Sequence, residues 1–429
     1  MIQEEEYKKR RDKLSKKLLN YSVGIISASS YKTRSNDTQY PYRQNSNFYY
    51  LSGFKEDNTA LVFVKRKKSI KTILFVQAKD KVQELWNGKR LGEKKAKKRF
   101  LVDEVYTMRE FDSKLKEFIG AAKNLYYDFD SEDKSVQLLK PYVKAIQTNK
   151  NIAPLIHKMR LIKSSAEIQE IKKAIHITKK AHHQAMNFSK IGKKEYMLQA
   201  EIEYTFKSHG AYSDAYTSIV ACGNSANTLH YIENNRALVE NALILIDAGC
   251  EYDYYASDIT RTIPVSGQFT QPQKELYNMI LEVQLKIIKM VKPHAKRSDL
   301  QQKAQELLCR GMLELKILKG NYKKLMKKEA YKKYYPHGIG HWMGIDVHDE
   351  APYKDENGNE IAFAKGMVLT IEPGIYIDKD DKKVPKKYRG IGIRIEDDIL
   401  VTKRGYKNLS AKIAKSVKEI ESISSDRKL

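Results

Sequence analysis

The sequence predicts an α/β domain at the N-terminus followed by a larger α/β or α+β domain. The chain has 429 residues, which is too long for a single ordinary core. Short β-branched runs alternate with helical pieces over its first third, and a long amphipathic stretch then begins at Ser164. These observations divide the chain into domains of residues 1–153 and 154–429.

The first domain is predicted from strands that alternate with helices. Residues 3–20 have the charge density of an exposed helix, and residues 111–122 form a further helical piece. Apolar, β-branched runs between polar turns are typical of buried strands. These runs are VGIISAS (23–29), ALVFVK (60–65) and TILFVQA (72–78). The alternation predicts an α/β domain.

A linker between the two domains is predicted at residues 147–154. Ser164 followed by Glu167 is a capping-box pattern, and apolar residues recur after it at helical spacing. His182 and His183 fall on this helix without a metal partner nearby in sequence, so surface positions are predicted for both. Further helices are predicted at 194–208, 271–291 and 299–318.

Composition argues against several classes of protein. The formal net charge is +26, but lysine spread along the chain supplies the excess, and lysine suits planar phosphate recognition less well than arginine. No specific nucleic-acid partner is therefore expected. Three cysteines without CxxC spacing argue against a disulfide framework and a cysteine-rich zinc site. Because no signal peptide or membrane-spanning stretch is visible, a soluble cytoplasmic protein is expected.

The run HGIGHWMGIDVHD, at residues 337–349, is the most informative functional signal. It contains His337, His341 and His348, although the whole chain has only 10 histidines. The glycines within the run allow backbone and ligands to approach closely. This clustering predicts a centre for metal binding or proton transfer.

Carboxylates accompany strand-like apolar runs elsewhere in the second domain. Asp247 ends NALILIDAG, and Asp258 opens DITRTIPV after a segment that can turn the chain back. On paired strands both aspartates can face one cavity, although aspartate at a strand end is more commonly a turn or cap residue. Glu372 stands in VLTIEPG, and Glu396 stands in IGIRIEDD on the same face as Arg394. A cation explains a carboxylate in a strand centre better than a structural ion pair does.

Four carboxylates with one or more histidines, and without cysteine, form a hard and oxygen-rich ligand set. Such a set is better suited to Mn²⁺, and also to Co²⁺, Fe²⁺ or Zn²⁺, than to a structural zinc site. Four negative ligands also match the charge of two divalent ions. The residues therefore predict a two-metal centre that activates water.

Five separated motifs resemble the aminopeptidase P (Xaa-Pro aminopeptidase) family of pita-bread metallopeptidases. They are HY (230–231), LIDAGCEYDYYASDITRT (245–262), HGIGHWMGIDVHD (337–349), LTIEPGIYI (369–377) and RGIGIRIEDD (389–398). In addition, YPYRQNSNFYYLSGF (40–54) and ELWNGKRLG (84–92) resemble the N-terminal domain of bacterial members. The resemblance covers nearly the whole chain. It implies an α/β N-terminal domain followed by an α+β pita-bread catalytic domain.

The resemblance also implies a set of metal ligands and catalytic residues. The ligands would be Asp247 on one manganese ion, Asp258 and Glu396 as bridges between two ions, and His341 and Glu372 on the second ion. The catalytic residues would be His230 and His348 as proton-handling groups, Glu372 as acceptor of a proton from water, and Arg394 as partner of the ligand carboxylates.

Substrate contacts are implied in the same way. His337 would line the pocket for proline, Tyr216 and Tyr376 would lie beside the metals or the pocket, and Trp86 would cover the substrate of a neighbouring subunit. Backbone hydrogen bonding is the alternative for His337, and simple packing is the alternative for the two tyrosines and Trp86. The resemblance further implies a homodimer or a homotetramer.

The function implied by the resemblance is hydrolysis of the N-terminal Xaa-Pro bond by a hydroxide that bridges two divalent ions. The expected substrates are peptides with proline in the second position. One alternative is a proline dipeptidase of the same fold. Another, from a different class, is a pita-bread binding module without peptidase activity, with nucleic acid as its ligand because of the basic charge.

Overall fold

A computed structural model describes residues 2–131, 134–144 and 146–425. The chain divides into two units, Met1–Met159 and Arg160–Leu429, and each unit has its own hydrophobic core. The division between the units falls within helix α8 (Ala153–Arg160), between its last two residues.

A mixed sheet forms the centre of the N-terminal unit. The strands of this unit are β1 (Ser22–Ser27), β2 (Thr33–Ser35), β3 (Thr38–Gln39), β4 (Ala60–Lys65), β5 (Ile70–Val76), β6 (Glu104–Thr107), β7 (Asn124–Tyr127) and β8 (Thr148–Asn151). Six of them form a sheet in the order β6-β5-β4-β1-β7-β8. The β5-β4-β1 neighbours are antiparallel, whereas the outer strands pair in parallel.

Helices connect the strands of this unit. They are α1 (Glu4–Lys17), α2 (Ser46–Ser52), α3 (Lys81–Asn87), α4 (Gly92–Arg99), α5 (Phe111–Gly120), α6 (Lys134–Gln137) and α7 (Lys140–Val143), with α8 at the end. The apolar runs predicted as strands are β1, β4 and β5. Each contributes residues to the buried core of this unit, among them Val23, Val62 and Ile73. The predicted α/β class is therefore confirmed for the first domain.

The predicted linker at residues 147–154 is wrong. Strand β8 occupies Thr148–Asn151 and pairs in parallel with β7, and helix α8 begins directly afterwards. The sequence TNKN lacks an apolar alternation because β8 is the last strand of the sheet, where backbone hydrogen bonds on one side are enough to hold it.

The C-terminal unit combines long helices with small antiparallel sheets. Its helices are α9 (Ser165–Phe188), α10 (Glu195–Ser208), α11 (Gln271–Met290), α12 (Arg297–Glu314), α13 (Tyr322–Lys327) and α14 (Val417–Ser425). Its strands are β9 (Ser213–Asp214), β10 (Ile219–Cys222), β11 (Leu243–Asp247), β12 (Cys250–Tyr252), β13 (Tyr255–Ala256), β14 (Thr260–Pro264), β15 (Val368–Ile371), β16 (Gly374–Ile377), β17 (Ile391–Arg394), β18 (Asp397–Val401) and β19 (Tyr406–Asn408). Their sheets are β10-β11-β14, β13-β12-β9, β15-β18-β19 and β16-β17.

The helix signals in the sequence locate these helices with small errors at the ends. The capping box at the start of α9 is present, because the Ser164 N–H donates to the Glu167 carboxylate at 2.9 Å and the Ser164 hydroxyl accepts the Glu167 N–H at 3.4 Å. Helix α12 ends at Glu314, four residues before the predicted end at 318, because Lys316 has a left-handed φ of 59° that no α-helix accommodates. In the described part of the chain, no helix has the length and apolar character that crossing a membrane requires.

The small sheets determine where the predicted carboxylates lie. Strand β11 ends at Asp247, which pairs with Thr260 of β14, so Asp258 lies just beyond this pair. Glu372 follows β15 directly. The sequence places Glu396 in a strand centre, but it lies between β17, which pairs with β16, and β18, which pairs with β15. Glu396 therefore sits where the chain passes from one sheet to another.

The prediction that His182 and His183 are surface residues is wrong for His182. Its side chain is 1% exposed, and its Nε2 atom lies 3.0 Å from the carbonyl oxygen of Ala248. His182 follows Thr178 by one helical turn on the buried face of α9. His183 is partly buried and its Nε2 atom accepts the N–H of Ala414 at 3.1 Å.

We expect stability to decrease as the pH falls from about 6.5 towards 3, partly because of His182. Burial lowers the pKa of His182 to about 3, so the folded chain keeps this ring neutral. The unfolded chain takes up a proton near pH 6.5 and binds more protons than the folded chain below that value, which favours unfolding by up to about 1.4 kcal/mol per pH unit. Urea unfolding between pH 7 and 4 measures this slope.

The His182→Gln variant should have a shallower slope than the unchanged chain in this experiment. The matched control is His209→Gln, because His209 is exposed. An unchanged slope in His182→Gln would show that other groups dominate the acid sensitivity.

Candidate metal centre

One cavity of the C-terminal unit brings together the predicted metal ligands. The cavity has a volume of about 440 Å³. Its lining contains Asp247, Asp258, His341, Glu372 and Glu396, together with the other predicted residues Tyr216, His230, His337, His348 and Arg394. Residues far apart in sequence, contributed by strand ends and a glycine-rich loop, therefore face one cavity.

Tyr216 connects the two aspartates. Its hydroxyl group lies 2.6 Å from Asp247 Oδ1 and 2.7 Å from Asp258 Oδ1, so its single proton is shared between two acceptors. Burial and these carboxylates raise the pKa of Tyr216 well above its ordinary value, which keeps the hydroxyl protonated. Tyr216 therefore holds the two aspartates at a fixed separation.

His341, Asp258 and Glu396 form the tightest cluster of possible ligands. One ligand atom from each lies within 4.8 Å of the other two. The Nε2 atom of His341 is 3.2 Å from Asp258 Oδ2 and 3.8 Å from a Glu372 oxygen, and its Nδ1 atom is 3.0 Å from the Trp342 carbonyl. Because a carbonyl only accepts, Nδ1 carries a proton, and the lone pair of a neutral ring then points from Nε2 towards carboxylates. A cation placed between these groups would accept a lone pair from each of them.

The electrostatics of the carboxylates also favour a cation. Burial and the neighbouring carboxylates raise the pKa of Asp247 and raise that of Glu396 well above the ordinary glutamate value. Burial likewise raises the pKa of Glu372 to about 7. Burial opposes a charged ring at His341, but the hydrogen bond and the charge of Asp258 raise its pKa to about 9. Without a metal the site thus retains protons, and divalent ions are the species that replace them.

Arg394 and Thr260 hold the carboxylates in place. The Arg394 guanidinium is 4% exposed and donates to Asp247 Oδ2 at 2.6 Å, to the Tyr376 hydroxyl at 2.9 Å and to Thr260 Oγ1 at 3.0 Å. The Thr260 hydroxyl in turn donates to Glu396 Oε2 at 2.7 Å. A single guanidinium therefore orients Asp247 directly and Glu396 through Thr260.

The three remaining histidines have different surroundings. The Nε2 atom of His337 is 2.8 Å from the Tyr376 hydroxyl, and its Nδ1 atom is 2.8 Å from the Gly338 carbonyl. The exposed ring of His348 meets the ring of His341 edge-on with centroids 4.3 Å apart. His230 is an exposed residue in the cavity lining. The cavity therefore combines a buried carboxylate floor with imidazoles that solvent or substrate can reach.

Trp86 is not among the residues that line this cavity. It belongs to α3 of the N-terminal unit, where its side chain is 79% exposed. Val82 and Leu85 on the same short helix are 63% and 82% exposed.

Sequence reasoning did not single out three residues that support the site. They are Thr260, Asp397 and Asp398. Asp398 accepts the backbone N–H of Asp258 at 3.2 Å, and Asp397 forms a fully buried ion pair with Arg261 at 2.8 Å. The signal for Thr260 was its position two residues after Asp258, since alternate residues of an extended segment share a face. The same spacing relates Asp398 to Glu396.

The fold and the site define a metallopeptidase. The chain belongs to metallopeptidase family M24, whose profile matches residues 169–403, and the profile of the aminopeptidase P N-terminal domain matches residues 7–126.

The most similar proteins include curated Xaa-Pro aminopeptidases. The Haemophilus influenzae enzyme is 38% identical, with 98% of this chain and 97% of that protein covered. Human Xaa-Pro aminopeptidase 3 is also 38% identical, with 98% and 86% covered. The solved structure of Escherichia coli aminopeptidase P with the inhibitor Pro-Leu matches with a TM-score of 0.94 at 36% identity, covering 99% of this chain and 98% of that chain. The predicted pita-bread fold is therefore confirmed.

Proposed function

We propose that this chain is a metal-dependent aminopeptidase that hydrolyses the bond between an N-terminal residue and a following proline. The observation that carries the proposal is the cluster of Asp258, His341 and Glu396, whose ligand atoms lie within 4.8 Å, in the cavity that Asp247 and Glu372 also line. The Xaa-Pro aminopeptidases similar to this chain over nearly its full length support the same activity.

The five ligand residues would hold two divalent ions, and Mn²⁺ is the ion proposed. Carboxylate oxygens outnumber nitrogens among them, which suits a hard cation. A structure of zinc-substituted Escherichia coli aminopeptidase P shows that the similar enzyme accepts another divalent ion. When bound, such ions supply Lewis acidity and lower the pKa of water to near neutrality.

The residues around the ligands orient the substrate and move protons. His230 and His348 are exposed imidazoles that can donate hydrogen bonds to the oxygen on which negative charge develops. Glu372 is the carboxylate proposed to take the proton from water. Arg394 keeps Asp247 oriented and remains charged, because its carboxylate neighbours raise its pKa well above the ordinary arginine value despite burial.

We propose that side chains lining the cavity accommodate proline. The bond before proline lacks an N–H donor, so its recognition depends on the shape of the ring rather than on a backbone hydrogen bond. His337 and Arg394 both bond the Tyr376 hydroxyl, and Ile219, Leu229 and Val347 line the same cavity. Ile219, Leu229 and Val347, together with the His337 imidazole, offer a largely apolar surface on which a pyrrolidine ring can pack.

We also infer a cytoplasmic homodimer or homotetramer with domains of residues 1–153 and 154–429. The exposed face of Val82, Leu85 and Trp86 supports an assembly, because contiguous exposed apolar side chains are typical of contact surfaces. In this assembly Trp86 covers the substrate of a neighbouring subunit. Three buried, unpaired cysteines are consistent with a reducing compartment.

The activity is tested by peptide cleavage after chelation and reloading with Mn²⁺. We expect release of alanine from Ala-Pro-Ala, no release by the chelated protein, and at least about a 10²-fold lower kcat/KM on Ala-Ala-Ala. Cleavage of Ala-Pro alone, with Ala-Pro-Ala intact, would instead identify a proline dipeptidase. Absence of cleavage with Mn²⁺, Co²⁺, Fe²⁺ and Zn²⁺, together with salt-dependent nucleic-acid binding, would favour the binding module.

A further inference from the structure

A buried charge cluster lies beside the histidine-rich loop. It consists of Arg160, Lys163 and Asp349, and we refer to it as the Asp349 cluster. The Asp349 carboxylate accepts from Arg160 Nη2 at 2.5 Å and from Lys163 Nζ at 2.9 Å, and all three side chains are about 1% exposed. The same Arg160 nitrogen also reaches Asp346 at 2.5 Å.

The Asp349 cluster fixes the position of a buried carboxylate, although a buried ion pair of this kind contributes little net stability. The two cations lower the pKa of Asp349 to about 2 against the effect of burial, so the carboxylate is charged at neutral pH. Buried ion pairs contribute little net stability compared with apolar residues of similar size, but they impose one arrangement on the groups that form them. A cluster of this kind therefore indicates that the position of Asp349 matters.

That position controls an irregular part of the chain. Residues 343–349 contain no helix or strand, and the Asp349 N–H closes this loop by donating to the Trp342 carbonyl at 2.9 Å. The loop packs tightly on the cluster, since a Cβ atom at Gly344 would lie 2.8 Å from Asp349 Oδ2. The loop is thus tied at one end by a backbone bond and a buried carboxylate.

His348 depends on this tie. Within the described ranges, the His348 ring has no hydrogen-bond partner, and its only ring contact is the edge-on approach to His341. The placement of its imidazole therefore follows from the backbone of the loop, and the next residue along that backbone is Asp349.

We propose that Arg160 and Lys163, acting through Asp349, are positioning residues that hold His348 beside the metal ligand His341. The proposal rests on the proposed function of His348 in peptide hydrolysis. Arg160 ends α8 and Lys163 precedes α9, so the start of the C-terminal unit orients a loop about 190 residues later in the sequence.

A double-mutant cycle tests the proposal. We expect Asp349→Asn to lower kcat about 10- to 100-fold at full metal occupancy, as loss of a group that orients a functional residue typically does. In a His348→Ala background the same change should have less than about a twofold effect, because the group that Asp349 positions is then missing. Equal losses in both backgrounds, or no loss in the single variant, would contradict the proposal.

A second variant and a second measurement test the proposal in case Asp349→Asn does not fold or the activity is lost. Lys163→Met leaves Arg160 to pair with Asp349, so this variant should fold, and we expect a smaller loss of kcat with the same dependence on His348. Hydrogen exchange of residues 342–349 should increase in both variants, while an exposed ion-pair variant, Glu282→Gln, should leave it unchanged.

These readouts separate the two proposals. If the unchanged protein does not cleave Xaa-Pro peptides, the proposed function fails, whereas hydrogen exchange still reports whether the Asp349 cluster fixes the loop. Unchanged exchange in Asp349→Asn would overturn the positioning role.

Discussion

Replacing Glu396 by glutamine is expected to abolish metal-dependent cleavage, with kcat/KM on Ala-Pro-Ala lowered by at least about 10³-fold. Glutamine has nearly the same shape and can still accept the Thr260 hydroxyl, which lies 2.7 Å from Glu396 Oε2. It cannot supply the negative charge that a divalent ion requires. The rise in Tm that Mn²⁺ produces in the unchanged protein should therefore shrink or disappear in the variant.

The metal-free state provides the control for this variant. Burial and the carboxylates of Asp258 and Glu372 raise the pKa of Glu396, so a negative charge there is already disfavoured without metal. We therefore expect Glu396→Gln to unfold at the same temperature as the unchanged protein, or slightly higher, when both are in chelator. Glu282→Gln, at an exposed carboxylate, is the matched substitution without an expected effect. Full activity of Glu396→Gln would show that Glu396 is not a ligand.

Replacing Arg394 by methionine is expected to lower the free energy of unfolding of the metal-free protein by about 3–5 kcal/mol. The substitution removes the buried cation that faces Asp247 at 2.6 Å and leaves the Tyr376 and Thr260 hydroxyl groups without that donor. Arg394→Lys should recover only part of the loss, because an ammonium group cannot reproduce the planar set of donors. Urea unfolding in chelator measures both variants.

Tyr376→Phe is the matched control for Arg394. It removes one of the three bonds that Arg394 makes, so we expect a loss of about 1 kcal/mol. A variant Arg394→Met as stable as the unchanged protein would contradict the idea that Arg394 neutralises the carboxylates. It would also indicate that protons alone relieve their repulsion.

The predicted ligand set depended on chemistry that is visible in the sequence. An aspartate at a strand end is more commonly a turn or cap residue, so Asp247 alone was a weak signal. The prediction came from finding Asp247 and Glu372 together with further carboxylates and the clustered histidines. In the structure both residues line the cavity that His341 lines. Their roles as ligands stay predictions until a metal is measured.

Features that depend on tertiary context were less accessible. The polar strand β8 has no apolar alternation because it is an edge strand, and His182 gives no sign that a neighbouring carbonyl covers it. Glu396 was placed in a strand centre because IGIRIEDD alternates without a break, although the chain changes sheets there. Local patterns reveal neither which strands pair nor which segment packs on a helix, and these tertiary contacts decided the three positions.

The position of the division between the domains also depends on tertiary contacts. The predicted boundary at residue 153 stays a prediction, and the two compact units of the structure meet at residues 159 and 160. The Asp349 cluster was likewise invisible in the sequence, because Arg160 and Asp349 are 189 residues apart.

Anomalous diffraction at the manganese absorption edge, from crystals grown after chelation and reloading with Mn²⁺, tests the central claim most directly. We expect two manganese peaks in the cavity, with Asp258 and Glu396 between them, Asp247 at one ion, and His341 and Glu372 at the other. A single peak, peaks away from these five side chains, or no peak despite full reloading would contradict the two-metal site.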